Sequence, residues 1–371
     1  MKSGSWVATF LSLFLLSPNS LASPALHTED LMLPVQIDGR TEALGAYLAR
    51  PDKPGRYPIA LIVNGSSPEP RQQHADGLAH IARDFAHRGW LAVSVSFRGY
   101  GYSSGTRHDD AGSCKSPTVA KFFEPYAKDL AAALSTIKHR PDADPSHSIG
   151  LGISIGGVSV LALAAQPDRP LDAAINLSGG LYPDYSLREE QCPEFNDDLV
   201  QYVGKLAERS RASTLWLYAE NDQSFSPELA RRMLKSYRAK GGAAELAVLP
   251  PFWRDGHQLY RHEASPLIRP RIDSFLRGLK LPSIDSHALA SLNAILPPES
   301  RKSLQVYLEG DSSEKALALS GDKKLFWGRG YGSLDDARST ALKQCQSEAT
   351  GCRIVAENNE LVESWQDPAA I

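Results

Sequence analysis

Two hydrophobic rhythms alternate along the chain from about residue 31 to residue 279. Pro58–Val63, Trp90–Ser96, Leu171–Leu177 and Thr214–Tyr218 are short, nearly unbroken apolar runs, the pattern of strands buried on both faces, and Ala244–Leu249 reads as a further strand. Between them apolar positions recur at helical spacing: roughly Gln73–Arg88, with Leu78, Ile81, Phe85 and Ala86 on one face, then Val119–Ile137, Pro227–Arg238 and Leu267–Leu279. Gly89 stops the first of these. Ser226 caps the third, with Pro227 at the first helical position, where a missing N–H costs nothing. Pro270 is expected near the start of the last. Residues 31–38 and 43–50 pattern as edge strands around an Asp-Gly turn. Strands and helices alternating at this spacing predict an α/β fold: a mostly parallel sheet with helices on both faces. In such sheets functional groups sit on loops at the carboxyl ends of the strands.

Two stretches break the rhythm. Residues 181–210 hold Tyr182-Pro183-Asp184-Tyr185, a charged run and Cys192, and read as a cap inserted above the sheet. Pro282–Pro298 reads as a linker. Beyond it, Lys315–Ser320 and Lys324–Trp327 pattern as a hairpin, Ser333 caps a helix through Cys345, and Cys352–Ala356 is a last strand. The expected organisation is therefore an α/β domain over 23–281, a linker over 282–298 and a small α+β domain over 299–371.

Candidate chemistry follows the strands. The central strand runs into Gly152-Ile153-Ser154-Ile155-Gly156-Gly157, and an Ala/Leu-rich helix starts at once. This is G-x-S-x-G in the strand, sharp turn, helix setting that exposes a serine hydroxyl. The same serine could equally be a helix cap, so the pattern needs partners. A serine nucleophile requires a base and a group to orient that base. Asp222 follows the strand Thr214–Tyr218, and His257 follows Ala244–Leu249 beside Gly256, giving the order Ser154, Asp222, His257. Glu220 is the alternative acid and His262 the alternative base. For the oxyanion hole, Ile155 supplies one N–H; the second is expected from Ser66 or its neighbour Gly65, in the loop after Pro58–Val63. Tyr100, Tyr102, Tyr182, Tyr185, Phe225, Phe252 and Trp253 fall at the same end and are candidates for an aromatic pocket.

Composition narrows the class. At 371 residues, 42% hydrophobic and 22% charged, with a formal net charge of −3, the chain has no signature of nucleic-acid or anionic-membrane binding. Lys2, the apolar stretch Trp6–Leu16 and Ser20-Leu21-Ala22 read as a signal peptide over 1–22, which leaves no membrane-spanning segment in the mature chain. Export to the periplasm or beyond favours disulfides among Cys114, Cys192, Cys345 and Cys352. Three pairings exist, and proximity in sequence favours Cys114–Cys192 with Cys345–Cys352. No C-x-x-C or paired histidines stand at ligand spacing, so no metal and no cofactor are expected.

With Asn64-Gly65-Ser66, the Arg98-Gly99-Tyr100-Gly101-Tyr102-Ser103 loop, Gly152–Gly157, Glu220-Asn221-Asp222 and Gly256-His257 in view, the chain resembles an α/β-hydrolase of the dienelactone-hydrolase-like group. It also resembles the catalytic domain of prolyl-oligopeptidase-type peptidases. The likeness spans roughly residues 30–281 and implies an α/β-hydrolase fold. Two departures matter. Asn64-Gly65 stands where the family usually has His-Gly, and Ser154 replaces the cysteine of true dienelactone hydrolases, which argues for an esterase-like serine hydrolase. The tail, through Gly330–Ala337, Ala341-Leu342 and the Cys345/Cys352 pair, resembles a small domain of unknown function in exported bacterial proteins. It is a candidate for surface or partner contact.

The expected activity is hydrolysis of a small-molecule ester, thioester or amide through an acyl-enzyme, with a carboxylic ester favoured. A catalytically silent hydrolase fold used for binding is the contrasting reading, and a peptidase is a third.

Overall fold

The computed structural model describes residues 26–168, 170–184, 191–284, 289, 291–309, 314–330, 333–358 and 360–362. The signal segment 1–22 and Tyr185 lie outside them. Strands β1 (Leu26–Ile37) and β2 (Arg40–Pro51) form a hairpin whose two turn residues, Asp38 and Gly39, take φ of 50° and 76°, as a tight hairpin turn requires. Next come β3 (Tyr57–Val63), helix α1 (Ala79–His87), β4 (Leu91–Val95) and a two-rung hairpin of β5 (Gly112–Ser113) and β6 (Ser116–Pro117). The remaining units are α2 (Val119–Lys138), β7 (Ala143–Ile153), α3 (Ile155–Ala164), β8 (Ala173–Leu177) and α4 (Pro193–Ala207). They continue through β9 (Ser213–Ala219), α5 (Pro227–Ala239), β10 (Ala244–Leu249) and α6 (Ser265–Gly278). Helix α1 is shorter than its periodicity predicts, because Ala75–Leu78 winds as a 3-10 turn first. Pro266 takes the first turn of α6, and Pro270 falls inside the helix rather than near its start.

Eight strands form one sheet in the order β1-β2-β4-β3-β7-β8-β9-β10, antiparallel through β1, β2 and β4 and parallel from β4 onward. This is the α/β-hydrolase architecture expected from sequence. The strand order reverses between β3 and β7, so a crevice opens beyond their carboxyl ends. β3 shows why these runs are apolar throughout: Ile59, Leu61 and Val63 enter the core under α2, α3, α4 and α5, whereas Ala60 and Ile62 enter the core under α1 and α6. Helix α3 is buried on every side, which its uniformly apolar sequence suits.

The cap reading of 181–210 needs correction. Residues 193–207 are α4, a helix linking β8 to β9 and packed against α5, α2 and α3, with Phe195, Leu199, Val203 and Leu206 in the core. Their spacing of four, four and three is a helical stripe that the surrounding charges mask. Of the described residues in that stretch, the overhang on the crevice comes from Leu181–Asp184.

Two buried, bidentate ion pairs bolt α1 to α6. Arg88 holds Asp273 at 2.7 and 2.8 Å, and Arg269 holds Asp84 at 2.7 and 2.5 Å. Burial alone would raise the Asp84 carboxyl, but Arg269 beside it pulls it below the ordinary carboxylate range.

The C-terminal part builds an antiparallel sheet from β11 (Lys315–Leu319), β12 (Leu325–Arg329), β13 (Arg353–Glu357) and β14 (Glu360–Leu361), in the order β12-β11-β13-β14. Helix α8 (Leu334–Glu348) packs Ala337, Ala341 and Cys345 against one face, and Ser333 caps it by accepting the Asp336 N–H. The other face takes Leu304 and Tyr307 of helix α7 (Pro298–Glu309) together with Leu289, Leu292 and Leu296. Those three leucines lie in the stretch read as linker; their apolar side chains belong to this second core. The unit docks where α1 and α6 end: His87 Nε2 lies 3.4 Å from Glu314, Trp90 Nε1 donates to the Pro282 carbonyl, and Asp273 accepts the Ile284 N–H. Both helices run back from the carboxyl ends of the strands, so this junction lies at the opposite end of the sheet from the crevice.

Candidate active site

β7 delivers its chain to Ser154, which takes φ 57° and ψ −123°, and α3 begins at the next residue. A non-glycine residue held there costs roughly 1–3 kcal/mol, so the surroundings must enforce it. They do: the Ser154 N–H donates to Leu177 O of β8 at 3.0 Å, and its carbonyl accepts from Gly157 at 2.9 Å. Gly152 makes the turn possible, since a Cβ there would lie 1.9 Å from the Gly156 carbonyl oxygen.

The loop after β3 comes equally close. A Cβ on Gly65 would sit 2.6 Å from the Ser154 Cβ. The Gly65 N–H, however, donates to the Asn64 side chain at 2.8 Å. That bond occupies the N–H of Gly65, one of the two expected second oxyanion donors. Ser66, the other, lines the crevice with Ser154 and Ile155.

Asp222 follows β9 and is buried, its side chain fully covered. Its Oδ1 accepts the N–H groups of Ser224 and Phe225, both at 2.9 Å. His257 sits in the 3-10 turn Gly256–Gln258 after β10, with Nδ1 3.2 and 3.3 Å from the two Asp222 oxygens. The structure thus brings Ser154, Ile155, Ser66 and His257 to one cavity, with Asp222 behind the imidazole. Glu220 is exposed, and His262 meets His80 edge-on at 5.6 Å; neither lines the cavity.

The cavity holds about 300 Å³. Tyr100, Tyr182 and Phe225 line it as expected; Tyr102, 75% exposed, stacks on His74 instead. Phe252 belongs to the core under α6, and Trp253 stands at the surface beneath the Arg261 guanidinium. Phe122 and Tyr126 from α2, with Arg107 and Asp109 from the preceding loop, complete the wall. Sequence reasoning missed these four. The two aromatics are spaced like the rest of the apolar face of α2, and the two charges lie in a loop without a recognisable pattern. That loop is held firmly. Buried Asp129 on α2 accepts the Arg98 backbone N–H at 3.0 Å and its Nε at 2.6 Å, while Tyr126 donates to His108 O at 2.6 Å. Burial pushes Asp129 up to about 6 against the pull of Arg98. Burial and then Arg98 hold His108 below its usual value.

Both disulfides favoured by proximity are present. Cys114–Cys192 ties the β5–β6 turn to the start of α4, and Cys345–Cys352 joins α8 to the segment entering β13. Among the described residues no cluster of His, Cys, Asp or Glu could hold a metal ion, and no helix is long and apolar enough to cross a membrane.

A family model for X-Pro dipeptidyl-peptidases of family S15 matches residues 38–266, more than half of the chain. The chain belongs to this S15 family. It is accordingly a hydrolase, and a serine hydrolase. Solved structures similar to this S15 member include the esterase Pf2001 of Pyrococcus furiosus, 12% identical, covering 68% of this chain and 91% of that one at TM-score 0.48. An acetyl xylan esterase from Paenibacillus sp. R4 is 17% identical over 63% of this chain and 79% of its own, at TM-score 0.44. Est1E from Butyrivibrio proteoclasticus, solved with ferulic acid, is 17% identical over 59% and 89%, at TM-score 0.43. No curated protein matches the chain.

Proposed function

We propose that this chain is an exported carboxylic ester hydrolase in which Ser154 is the nucleophile, His257 the general base and Asp222 the acid that orients it. The observation that carries the reading is the convergence of three separate loops: Nδ1 of His257 meets buried Asp222 at 3.2–3.3 Å, and its ring shares one cavity with Ser154 and Ile155. Asp222 fixes the tautomer with the proton on Nδ1, leaving Nε2 to take the Ser154 proton. The freed oxygen attacks the acyl carbon, and the oxyanion is met by the N–H groups of Ile155 and Ser66. His257 then protonates the departing alcohol, activates a water and regenerates Ser154 as the acid leaves. None of these steps needs a cofactor. The catalytic unit spans 23–281.

Export is supported by the signal-like segment 1–22 and by four cysteines engaged in two disulfides, which persist in oxidising compartments. A fluorophosphonate probe is expected to label Ser154 in the full-length protein. Labelling that survives Ser154→Ala would overturn the assignment. The S15 match favours one second reading, cleavage of an amide after proline. Turnover of p-nitrophenyl esters of graded length, set beside Xaa-Pro-p-nitroanilides, decides between them.

A further inference from the structure

We infer that Asp255 is a positioning residue for the base, clasping the loop that carries Asp222 to the loop that carries His257. The inference rests on the roles proposed above for those two side chains. Asp255 Oδ1 accepts the backbone N–H of His257 at 2.9 Å and the backbone N–H of Gln223, the residue after Asp222, at 3.0 Å. One oxygen therefore takes a donor from the base itself and a donor from the neighbour of its acid. Hydrogen bonds to a charged acceptor are the stronger kind.

Other bonds join the same two loops: the Gly256 N–H donates to the Asn221 carbonyl at 3.1 Å, and the rest lie farther along the chain from the imidazole. The Asn221 side chain accepts the Phe252 N–H at 2.8 Å and donates to the carbonyls of Phe252 and Trp253 at 3.1 and 3.2 Å. The Gln223 side chain donates to the Arg254 carbonyl at 2.6 Å. These fix where the loop after β10 begins. Asp255 sets how the turn at 256–258 rotates about the Gly256 anchor, because it caps that turn and grips the amide of the residue bearing the ring. The His257–Asp222 contact is already at the long end of hydrogen bonding. A small rotation of the turn would carry Nδ1 out of reach. Asp255 does this without touching the reacting atoms.

The test uses full-length protein carrying Asp255→Ala, Asp255→Asn or Asp255→Ser, each assayed well below its own melting midpoint on the best p-nitrophenyl ester. Asp255→Ala is expected to lower kcat about 10–100-fold with KM within about twofold, the signature of a misplaced catalytic group. Asn and Ser keep an acceptor suited to a cap and are expected to restore kcat to within about threefold. Wild-type kcat in Asp255→Ala, a loss confined to KM, or no recovery in either acceptor-bearing variant would each overturn the inference. Ser154→Ala run alongside separates two failures. Activity surviving there defeats the proposed nucleophile, whereas an inactive Ser154→Ala beside an unimpaired Asp255→Ala defeats only the role of Asp255.

Discussion

Asp222→Asn leaves a side chain of the same shape in the same buried place. Its oxygen can go on accepting the Ser224 and Phe225 N–H groups, which turns the new amide NH2 toward His257 Nδ1. The imidazole must then carry its proton on Nε2, the wrong nitrogen for a base. Kcat is expected to fall by about 10⁴-fold with little change in melting temperature, measured by ester hydrolysis and circular dichroism. Gly65→Ala acts from the other side. The added methyl sits 2.6 Å from the Ser154 Cβ and 3.2 Å from the Ile153 carbonyl, so either the nucleophile or the loop that holds Ser66 must move. A displacement of this kind is expected to cost about 100-fold in kcat/KM, read by the same assay. At this scale the proposed triad was legible because each member follows a strand in the order such enzymes use. That the Gly65 N–H is engaged was not, because it turns on a single bond to the Asn64 side chain that no pattern announces.

Elements show where periodicity suffices and where it does not. Strands buried on both faces and the N-caps at Ser226 and Ser333 were readable residue by residue. Helix α4 was hidden because its apolar stripe is interrupted by Glu194, Asn196, Asp197 and Asp198, and only contact with α5 shows which face is inward. The charges that join α1 to α6 were equally silent in sequence, since Asp84 and Arg269 are 185 residues apart. Arg269→Met strands Asp84 in the core and is expected to cost about 3–5 kcal/mol in urea denaturation, while the double replacement Asp84→Leu with Arg269→Met recovers most of it. Helix α1 also carries the pH response of this region. His80 donates to the Tyr260 carbonyl at 2.8 Å, and burial lowers its pKa from the ordinary 6.5. The unfolded chain therefore takes up a proton near pH 6.5 that the folded chain resists. Stability from this group is full above that value and is lost as pH falls below it. His80→Gln, which keeps the donor, is expected to flatten the loss below about pH 6.5 in denaturant titrations.

For the molecule as a whole, the two disulfides are expected to behave differently. Cys114–Cys192 closes a separation of 78 residues, for which loop entropy gives about 4–5 kcal/mol, and it joins the loop bearing Arg107 and Asp109 to the start of α4, the helix that follows the Leu181–Asp184 wall in the chain. Replacing both cysteines by Ser is expected to raise KM as well as lower the melting temperature. Replacing Cys345 and Cys352 is expected to lower stability alone, since α8 and β13 contribute nothing to the cavity. Steady-state kinetics beside thermal melts distinguish the two pairs.

The docking of the C-terminal unit at the ends of α1 and α6 gives the enzyme a front and a back. A support coupled to that unit would stand behind the sheet, and the mouth beside Ser154 would stay turned to the solution. Such a molecule can work while held. Fixed to an insoluble support through that unit, it would present every copy facing outward, as a grafted brush presents its free ends.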